Sequence, residues 1–372
     1  ISIPLGYQQT STQAATLHDD SSFQVFNKAM TLALYDYMRK SGNQGYTVSL
    51  SGGADSATCA LLIERMVRYG TKELGNDFFE KANLKPVNDK AKTISSILFT
   101  IYQKTNQNND STEQAAHELA KELDSTHYSV DIQPIVTQST ELVETLINRK
   151  FDWQNDDLTL QNIQSRTRSP IAWMLANSTN TIFVSTGNRN ESSVGYCTID
   201  GDTSGGLAPI AGIDKPFIQS WLRYMELMGD EFGKVSSLSY INSLSPSAEL
   251  RPTTANQTDE TDLMAYSLLE RIERLSIQDK LSPNQIVDIL LQENIVVNSD
   301  KPQFNKTELQ NFVDRFFTMW RNSQWKRERS AVSFHIDKFD VSGFIKFPVI
   351  SQSLSKVSSL LTANSNPKIT NK

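Results

Sequence analysis

The chain has 372 residues, a formal net charge of −6, and 38% hydrophobic and 21% charged residues. That length buries a sizeable core in one large or two ordinary domains, and the composition excludes wholesale disorder. The acidic balance disfavours non-specific nucleic-acid binding, which needs a basic face, and no apolar run reaches the ~20 residues of a membrane-spanning helix.

Residues 1–22, polar and rich in Ser, Thr and Gln, read as a linker or lead-in. The chain starts at Ile1 rather than Met, as a fragment of something longer would. Phe23, Phe26, Met30, Ala33, Leu34 and Tyr37 recur at spacings of three and four, which predicts a helix over 23–40 ended by Ser41 to Gly45. Tyr46 to Leu50 then has the composition of a short buried strand, and Ala57, Ala60, Leu61 and Ile63 place an apolar stripe on a following helix.

Between that strand and helix lies SGGADS, residues 51–56. Gly52 and Gly53 let the backbone approach a ligand closely, with amide hydrogens converging at the positive end of the helix. Ser51 and Ser56 offer hydroxyl donors, and Asp55 offers a hard carboxylate suited to a magnesium ion that bridges phosphates. The segment lacks the lysine of GxxxxGK[ST] and the spacing of GxGxxG. It reads as a phosphate loop of another kind.

Residues 70–92 show little pattern and read as an insertion or mobile loop. Further on, 93–102 reads as a strand, 112–123 as a helix, 128–132 as a strand, 169–176 as a helix entered just after Arg166 and Arg168, and 181–185 as a strand. Strands alternating with helices predict a parallel sheet covered by helices on both faces, with ligands at the carboxyl ends of the strands. From about residue 258 the pattern is mainly helical, over 263–275, 283–292 and 306–320. The tail 351–372 is polar and reads as flexible.

Further segments bear on chemistry. After the 181–185 strand, Thr186 and Gly187 form a polar turn, and Glu191 supplies a second carboxylate that can complete a magnesium site with Asp55; taken alone it reads as a solvated helix-start residue. DGDTSGGLAPIAGIDKPF at 200–217 carries Asp202, suited to a substrate contact, and Lys215, suited to phosphate or developing negative charge. SAELRP at 247–252 and QTDETDLM at 257–264 read as a loop and a helix start, with Ser247 a possible phosphate donor or a simple cap. Arg166 and Arg168, and the cluster Arg321, Lys326, Arg327 and Arg329 with Trp320 and Trp325, suit phosphates and aromatic rings, or form a solvated basic face. Cys59 and Cys197 give neither a disulfide framework nor a CxxC metal site, which fits a reducing cytoplasm. The four histidines lack metal-ligand spacing.

SGGADS resembles the signature of the ATP pyrophosphatases, which split ATP between its α and β phosphates to adenylate a substrate. In order along the chain, LALYDYMRKS, SLSGGADSA, STGNRNESSVGYCTIDGDTSGGLAPIAGIDKPF, SPSAELRP, QTDETDLM, QWKRERSAVSFHID and FPVIS resemble NAD synthetase, specifically the synthetase region of the glutamine-dependent bacterial type. The resemblance covers nearly all of residues 23–351 and implies a Rossmann-like fold over 23–350, of the adenine nucleotide alpha hydrolase kind, with a mainly helical C-terminal part. The implied reaction adenylates deamido-NAD with ATP and then displaces AMP with ammonia, giving NAD. By position, the resemblance assigns ATP to Ser49, Ser51, Gly52, Gly53, Asp55, Ser56, Thr186, Lys215 and Ser247, and magnesium to Asp55 and Glu191. It assigns deamido-NAD to Arg166, Asp202, Trp325 and Lys326, and chemistry to Asp55 and Lys215. It favours a homodimer, and the cytoplasmic location expected from the two cysteines goes with it. Residues 1–22 are too short for a glutaminase domain, so ammonia is expected as the free molecule, from a separate glutaminase subunit, or from a domain of a longer polypeptide. Two alternatives stay open at this level: a related synthetase acting on another acid, and a nucleotide-binding subunit without turnover.

Overall fold

The computed structural model describes residues 20–87, 89–244, 247, 249–252, 258–293, 304–336 and 339–341. The predicted tail, the FPVIS segment and most of the predicted lead-in lie outside the described residues.

The first helix, α1 (Asp20–Ser41), buries Phe23, Phe26, Met30 and Leu34 of the predicted stripe and adds Met38. It packs against α2 (Ala54–Leu74), which follows strand β1 (Tyr46–Ser49). After α2 come two short helices, α3 (Asp77–Lys81) and α4 (Lys90–Ile97), then β2 (Leu98–Lys104), α5 (Asp110–Glu122), β3 (Thr126–Asp131) and α6 (Gln133–Ile147). The long helix α7 (Asp157–Thr179) leads to β4 (Ile182–Val184) and α8 (Arg189–Val194). The remaining elements among the described residues are helices: α9 (Lys215–Leu227), α10 (Leu238–Asn242), α11 (Asp259–Asp262), α12 (Tyr266–Glu273) with a π-turn over Arg274–Gln278, α13 (Pro283–Glu293), α14 (Lys306–Asn322) and α15 (Gln324–Arg327).

The four strands form one parallel sheet in the order β3-β2-β1-β4, with Tyr46 in register with both Leu98 and Ile182. β1 and β4 are therefore neighbours, and their carboxyl ends set the phosphate loop beside the Thr186–Gly187 turn. Residues 205–208 run alongside β4: Gly206 N donates to Phe183 O at 2.8 Å, and Ser185 N to Leu207 O at 2.9 Å. A side chain at Gly205 would lie 2.5 Å from Ser185 N, so the close approach requires glycine there. The main core joins α1, α2, the strands and α9, where Trp221 is wholly buried and donates to Asn27 Oδ1 at 2.8 Å. A second core holds α12, α13 and α14 together with Val194.

Three sequence expectations change. Residues 93–97 are helical, with the strand starting only at Leu98: Asp89 caps α4 by accepting from Lys92 N at 3.0 Å, and Ile94 and Ile97 are buried. Tertiary burial overrides the β-preference of a Thr/Ile-rich run. Residues 70–92 include the end of α2 and the whole of α3, anchored by buried Phe78, which stacks on Tyr35 with centroids 5.0 Å apart. Finally, Arg166 and Arg168 do not precede a helix; they lie inside α7, whose interior includes Pro170. A proline reads most simply as a helix start, but here long-range bonds hold the helix through it: Gln103 Nε2 donates to Arg168 O at 2.8 Å and Ser169 Oγ to Gly201 O at 2.9 Å.

Candidate active site

A cleft of about 1150 Å³ opens at the carboxyl ends of the strands. Ser49, Ser51, Gly52, Gly53, Asp55, Ser56, Thr186, Glu191, Asp202, Lys215, Ser247 and Lys326 all line it. Segments separated by up to 277 positions in sequence, from Ser49 to Lys326, thus converge on one space.

The phosphate loop is held by its own serines. Ser51 N donates to Ser56 Oγ at 3.2 Å, the two hydroxyls lie 3.1 Å apart, and Ser56 Oγ donates to Gly53 O at 3.1 Å. Gly53 stands at the N-cap of α2 and supplies no side-chain cap. The first amides of a 21-residue helix therefore meet the cleft without a side-chain acceptor, the arrangement that receives an anion.

Opposite the loop, Asn188 opens α8 with a capping box: its side chain accepts from Glu191 N, and Glu191 Oε2 accepts from Asn188 N at 3.3 Å. Asn188 Nδ2 also donates to Asp55 Oδ1 at 3.1 Å, tying the two strand ends together. Lys215 is the first residue of α9, whose N-cap Asp214 accepts from Phe217 N at 2.9 Å. Its ammonium hydrogen-bonds Asp55 Oδ2 and lies 3.8 Å from Glu191 Oε1. Burial works against the charged lysine, but the Asp55 and Glu191 carboxylates hold it above the ordinary lysine range. Glu191 is pushed well above the usual carboxylate range, first by burial and then by the charge of Asp55.

These residues fit a hard divalent cation. Asp55, Glu191 and Asp259 line the cleft beside Lys215, and carboxylate oxygens are the hard donors that such a cation takes. No group of three or more His, Cys, Asp or Glu side chains suited to a metal occurs among the described residues. A magnesium ion here would therefore complete its shell with phosphate oxygens and water, as that ion commonly does.

Lys326 Nζ donates to Gly195 O at 2.7 Å and Cys197 O at 2.6 Å, shaping the loop that leads to Asp202. Asp202 in turn accepts from Thr198 N at 2.6 Å. Two candidates stand apart from the lining. Arg166 is exposed and donates from Nε to Ile199 O at 2.9 Å, while Arg168, one residue pair along α7, lines the cleft. Trp325 is 53% exposed.

Sequence reasoning missed the supports beneath these groups. Buried Arg189 donates to Glu273 Oε1 at 2.6 Å and Asp214 Oδ2 at 3.2 Å, and lies over the Phe339 ring at 4.4 Å. Asn190 donates to Glu273 Oε2 at 3.0 Å and its own Oδ1 accepts from Lys215 N at 2.8 Å. Glu249 accepts from Asn108 Nδ2 at 3.2 Å, Asn109 Nδ2 at 2.8 Å and Thr112 Oγ1 at 3.0 Å, latching the SAELRP loop to the start of α5. Only the position of Arg189 and Asn190 inside TGNRNE hinted at such roles.

A parallel sheet with a glycine-bearing anion cradle after β1, and a carboxylate–lysine group facing it from β4 and α9, defines an α/β nucleotide-binding protein of the ATP pyrophosphatase type. The sequence matches the family model for NAD synthase over residues 26–328, and the chain belongs to that family. It is 38% identical to a glutamine-dependent NAD(+) synthetase from Cytophaga hutchinsonii of known crystal structure, with a TM-score of 0.78 over 91% of this chain and 56% of that one. It is 28% identical to the glutamine-dependent NAD(+) synthetase of Dictyostelium discoideum, covering 82% of this chain and 45% of that protein. With that of Aquifex aeolicus it shares 30% identity, over 70% of this chain and 39% of the relative. The chain thus spans about half, or less, of the length of the relatives it matches. No helix among the described residues is long and apolar enough to cross a membrane.

Proposed function

We propose that the chain amidates deamido-NAD to NAD, using ATP and ammonia and releasing AMP and pyrophosphate. The observation that carries this reading is the meeting of Asp55, Glu191 and Lys215 at the mouth of an uncapped phosphate loop. A carboxylate is a poor electrophile until its oxygen becomes a good leaving group, and attack on the α phosphate needs the triphosphate aligned and its charge offset. In this reading Ser51, Gly52, Gly53, Ser56 and the α2 amides grip the departing pyrophosphate. Ser49, Thr186 and Ser247 border the ATP, and Lys215 faces charge that develops on the phosphates. Asp55 and Glu191 would hold Mg2+, which when bound supplies charge neutralisation at the phosphates.

Asp202 and Lys326 in the cleft, with Arg166 and Trp325 beside it in sequence, are the proposed contacts of deamido-NAD. We also assign the protein to the cytoplasm, a reading supported by the free thiols of Cys59 and Cys197. A second copy is the proposed partner of the face formed by α6 and edge strand β3. Leu142 and Leu146 of α6 and Tyr128 and Val130 of β3 are each exposed, and an unpaired sheet edge beside exposed apolar helix positions suits a self-complementary contact. The relatives named glutamine-dependent make a glutaminase, on the same polypeptide or on a partner, the proposed ammonia source.

One assay tests the reading. The protein is incubated with ATP, magnesium and deamido-NAD, with ammonium in one tube and glutamine in another. NAD and AMP with ammonium are expected; absence of pyrophosphate release in both tubes would sink the proposal. Sedimentation velocity tests the dimer, with a monomer at micromolar concentration counting against it.

A further inference from the structure

Most cations that line the cleft are engaged by the protein itself. Lys215 is bonded to Asp55, Lys326 to two backbone carbonyls, and Arg251 to Asp157 and Asp262. Arg223 is exposed. Arg168 is neither exposed nor engaged: its guanidinium has no hydrogen bond or ion pair among the described residues. Buried side-chain nitrogens and oxygens without a partner are, among those residues, Ser237 Oγ and Asp259 Oδ1. The Arg168 nitrogens, equally partnerless, therefore keep open surface, and the residue lines the cleft. A partly buried charge with no counter-group carries an uncompensated desolvation cost. An anion in the cleft would offset it.

The side chain stands on a fixed base. Arg168 O accepts from Gln103 Nε2 at 2.8 Å, and Gln103 Oε1 accepts from Ser49 Oγ at 3.2 Å, which ties this turn of α7 to the strand that runs into the phosphate loop. The next residue, Ser169, donates from Oγ to Gly201 O at 2.9 Å, beside Asp202. Burial lowers the guanidinium below the ordinary arginine range, and Tyr102, Glu249 and Asp202, all of the cleft lining, pull the other way.

Charge decides which anion fits. Arg168 feels the carboxylates of Glu249 and Asp202, and Lys326 also acts on Asp202, so two cations and two carboxylates balance here. Such a balance takes one more negative charge far more readily than the two of a dinucleotide's diphosphate bridge. Phosphates have their own receptor in the α2 amides and Lys215. A planar guanidinium fork matches the two coplanar oxygens of a carboxylate.

We propose that Arg168 binds the nicotinate carboxylate of deamido-NAD and so selects the acid over its amide. Amidation makes that group neutral, the ion pair is lost, and release of NAD is favoured. The inference rests on the amidation reading, and the two fail separately.

Isothermal titration compares deamido-NAD with NAD, which differs from it by an amide in place of the carboxylate. In Arg168→Gln the dissociation constant of deamido-NAD is expected to rise by about 10- to 100-fold, the effect of losing a charged hydrogen-bonded pair. The constant for NAD and the KM for ATP are expected to stay within about twofold. Equal weakening of both dinucleotides would assign the guanidinium to a phosphate and overturn the inference, as would unchanged binding of deamido-NAD. Pyrophosphate release by the unaltered protein separates the two readings. If it fails with ATP, magnesium and deamido-NAD, the amidation reading falls and takes this assignment with it; if it proceeds and the variant keeps its preference for the acid, only Arg168 falls. Should Arg168→Gln not fold, crystals of the unaltered chain soaked with deamido-NAD decide: a carboxylate oxygen within about 3 Å of the guanidinium is expected, and a phosphate there, or no ligand atom, overturns it.

Discussion

Lys215 hydrogen-bonds Asp55 through its ammonium and lies 3.8 Å from Glu191, so one buried cation is shared by two carboxylates carried on separate strand ends. The lysine is fixed at its backbone as well, where its N–H donates to Asn190 Oδ1 at 2.8 Å. A charge held from both ends loses little to reorganisation when negative charge builds up in front of it. Lys215→Met is therefore expected to slow pyrophosphate release by about 10²- to 10³-fold. Lys215→Arg is not expected to restore it, because a planar guanidinium does not fit a site built around a compact ammonium. Pyrophosphate release coupled to a colorimetric assay measures both; wild-type rates for the methionine variant would remove Lys215 from the chemistry.

Glu273 supports the same site from below. It is fully buried and accepts from Arg189, Asn190 and Ser193, so three side chains of α8 hang on one carboxylate of α12. Glu273→Gln leaves the Arg189 charge only partly compensated, and breaking a buried pair costs about 3–5 kcal/mol. Because Arg189 keeps Asp214, a loss near the low end, roughly 3 kcal/mol, is expected from urea denaturation. The same variant should lose activity beyond its loss of folded fraction, since Glu191 sits on the helix that loosens. Full specific activity at a temperature where the variant is folded would refute the coupling.

His127 makes acid stability predictable. Burial, and secondarily the charge of His117, lowers its imidazole to about 4, while its Nδ1 lies 2.8 Å from Thr100 Oγ1. The unfolded chain takes up this proton near pH 6.5 and the folded chain only near 4, so the unfolded state binds more protons between those values. Stability is thus complete above about pH 6.5 and falls as pH drops toward 4. The shift corresponds to about 3 kcal/mol before solvent screening of this half-buried ring, so roughly 1–2 kcal/mol is expected. Thermal unfolding at pH 5 and pH 7.5 should show the drop, and His127→Gln should shrink it; an equal drop in the variant would assign the effect to other groups.

Glu249 adopts a left-handed φ of 47° to reach its three partners on the α5 side. Non-glycine residues hold such a conformation only when their surroundings require it. Its loop also gives Gln164 Nε2 an acceptor at Leu250 O, 2.7 Å away, and carries Ser247 at the cleft. Glu249→Ala frees this wall of the cleft, so KM for ATP is expected to rise about tenfold with kcat nearly unchanged, the mark of lost binding rather than lost chemistry. Steady-state kinetics with ATP varied provides the check, and a fall in kcat at constant KM would count against the latch.

The strand–loop–helix unit at 46–66 was legible because its cause is local: an apolar β-branched run, two glycines and an amphipathic stripe need no partner to be recognised. β4 and the α1 stripe were legible on the same ground. α6 was not, since it buries only Val136 and Glu144 and leaves its apolar side exposed, so no stripe against a core marks it. Nor was α9, whose start at Lys215–Pro216 ends a turn-rich segment that composition alone assigns to loop. Asp55, Glu191 and Lys215 could be named singly from residue type. Their shared geometry depends on the parallel pairing of β1 with β4, which sequence spacing does not contain. Glu273 and Arg189 stayed hidden for a further reason: buried charges look like surface charges until their partners, more than 80 positions away, are placed.

The two glycines of the loop, equivalent in the sequence reading, differ in the structure. Gly52 has φ +82°, and a side-chain carbon there would lie 2.2 Å from Thr112 O, where α5 crosses the loop. Gly53 has φ −91°, and the nearest atom to such a carbon is Ser51 Oγ at 3.3 Å. Gly52→Ala therefore meets both backbone strain, about 1–2 kcal/mol for an L-residue in the left-handed region, and a clash with main chain that can be relieved only by moving α5 or the loop. Gly53→Ala meets a hydroxyl that can rotate, and should cost less than about 1 kcal/mol. The expected order in urea denaturation is a loss of about 2 kcal/mol or more for Gly52→Ala against a small change for Gly53→Ala. If the amides of α2 form the anion cradle, Gly53→Ala should still weaken ATP binding, because the added methyl stands where phosphate approaches the backbone. Isothermal titration with ATP and magnesium separates the two roles: Gly53→Ala with native stability and native affinity would show that the close approach of phosphate occurs elsewhere in the loop.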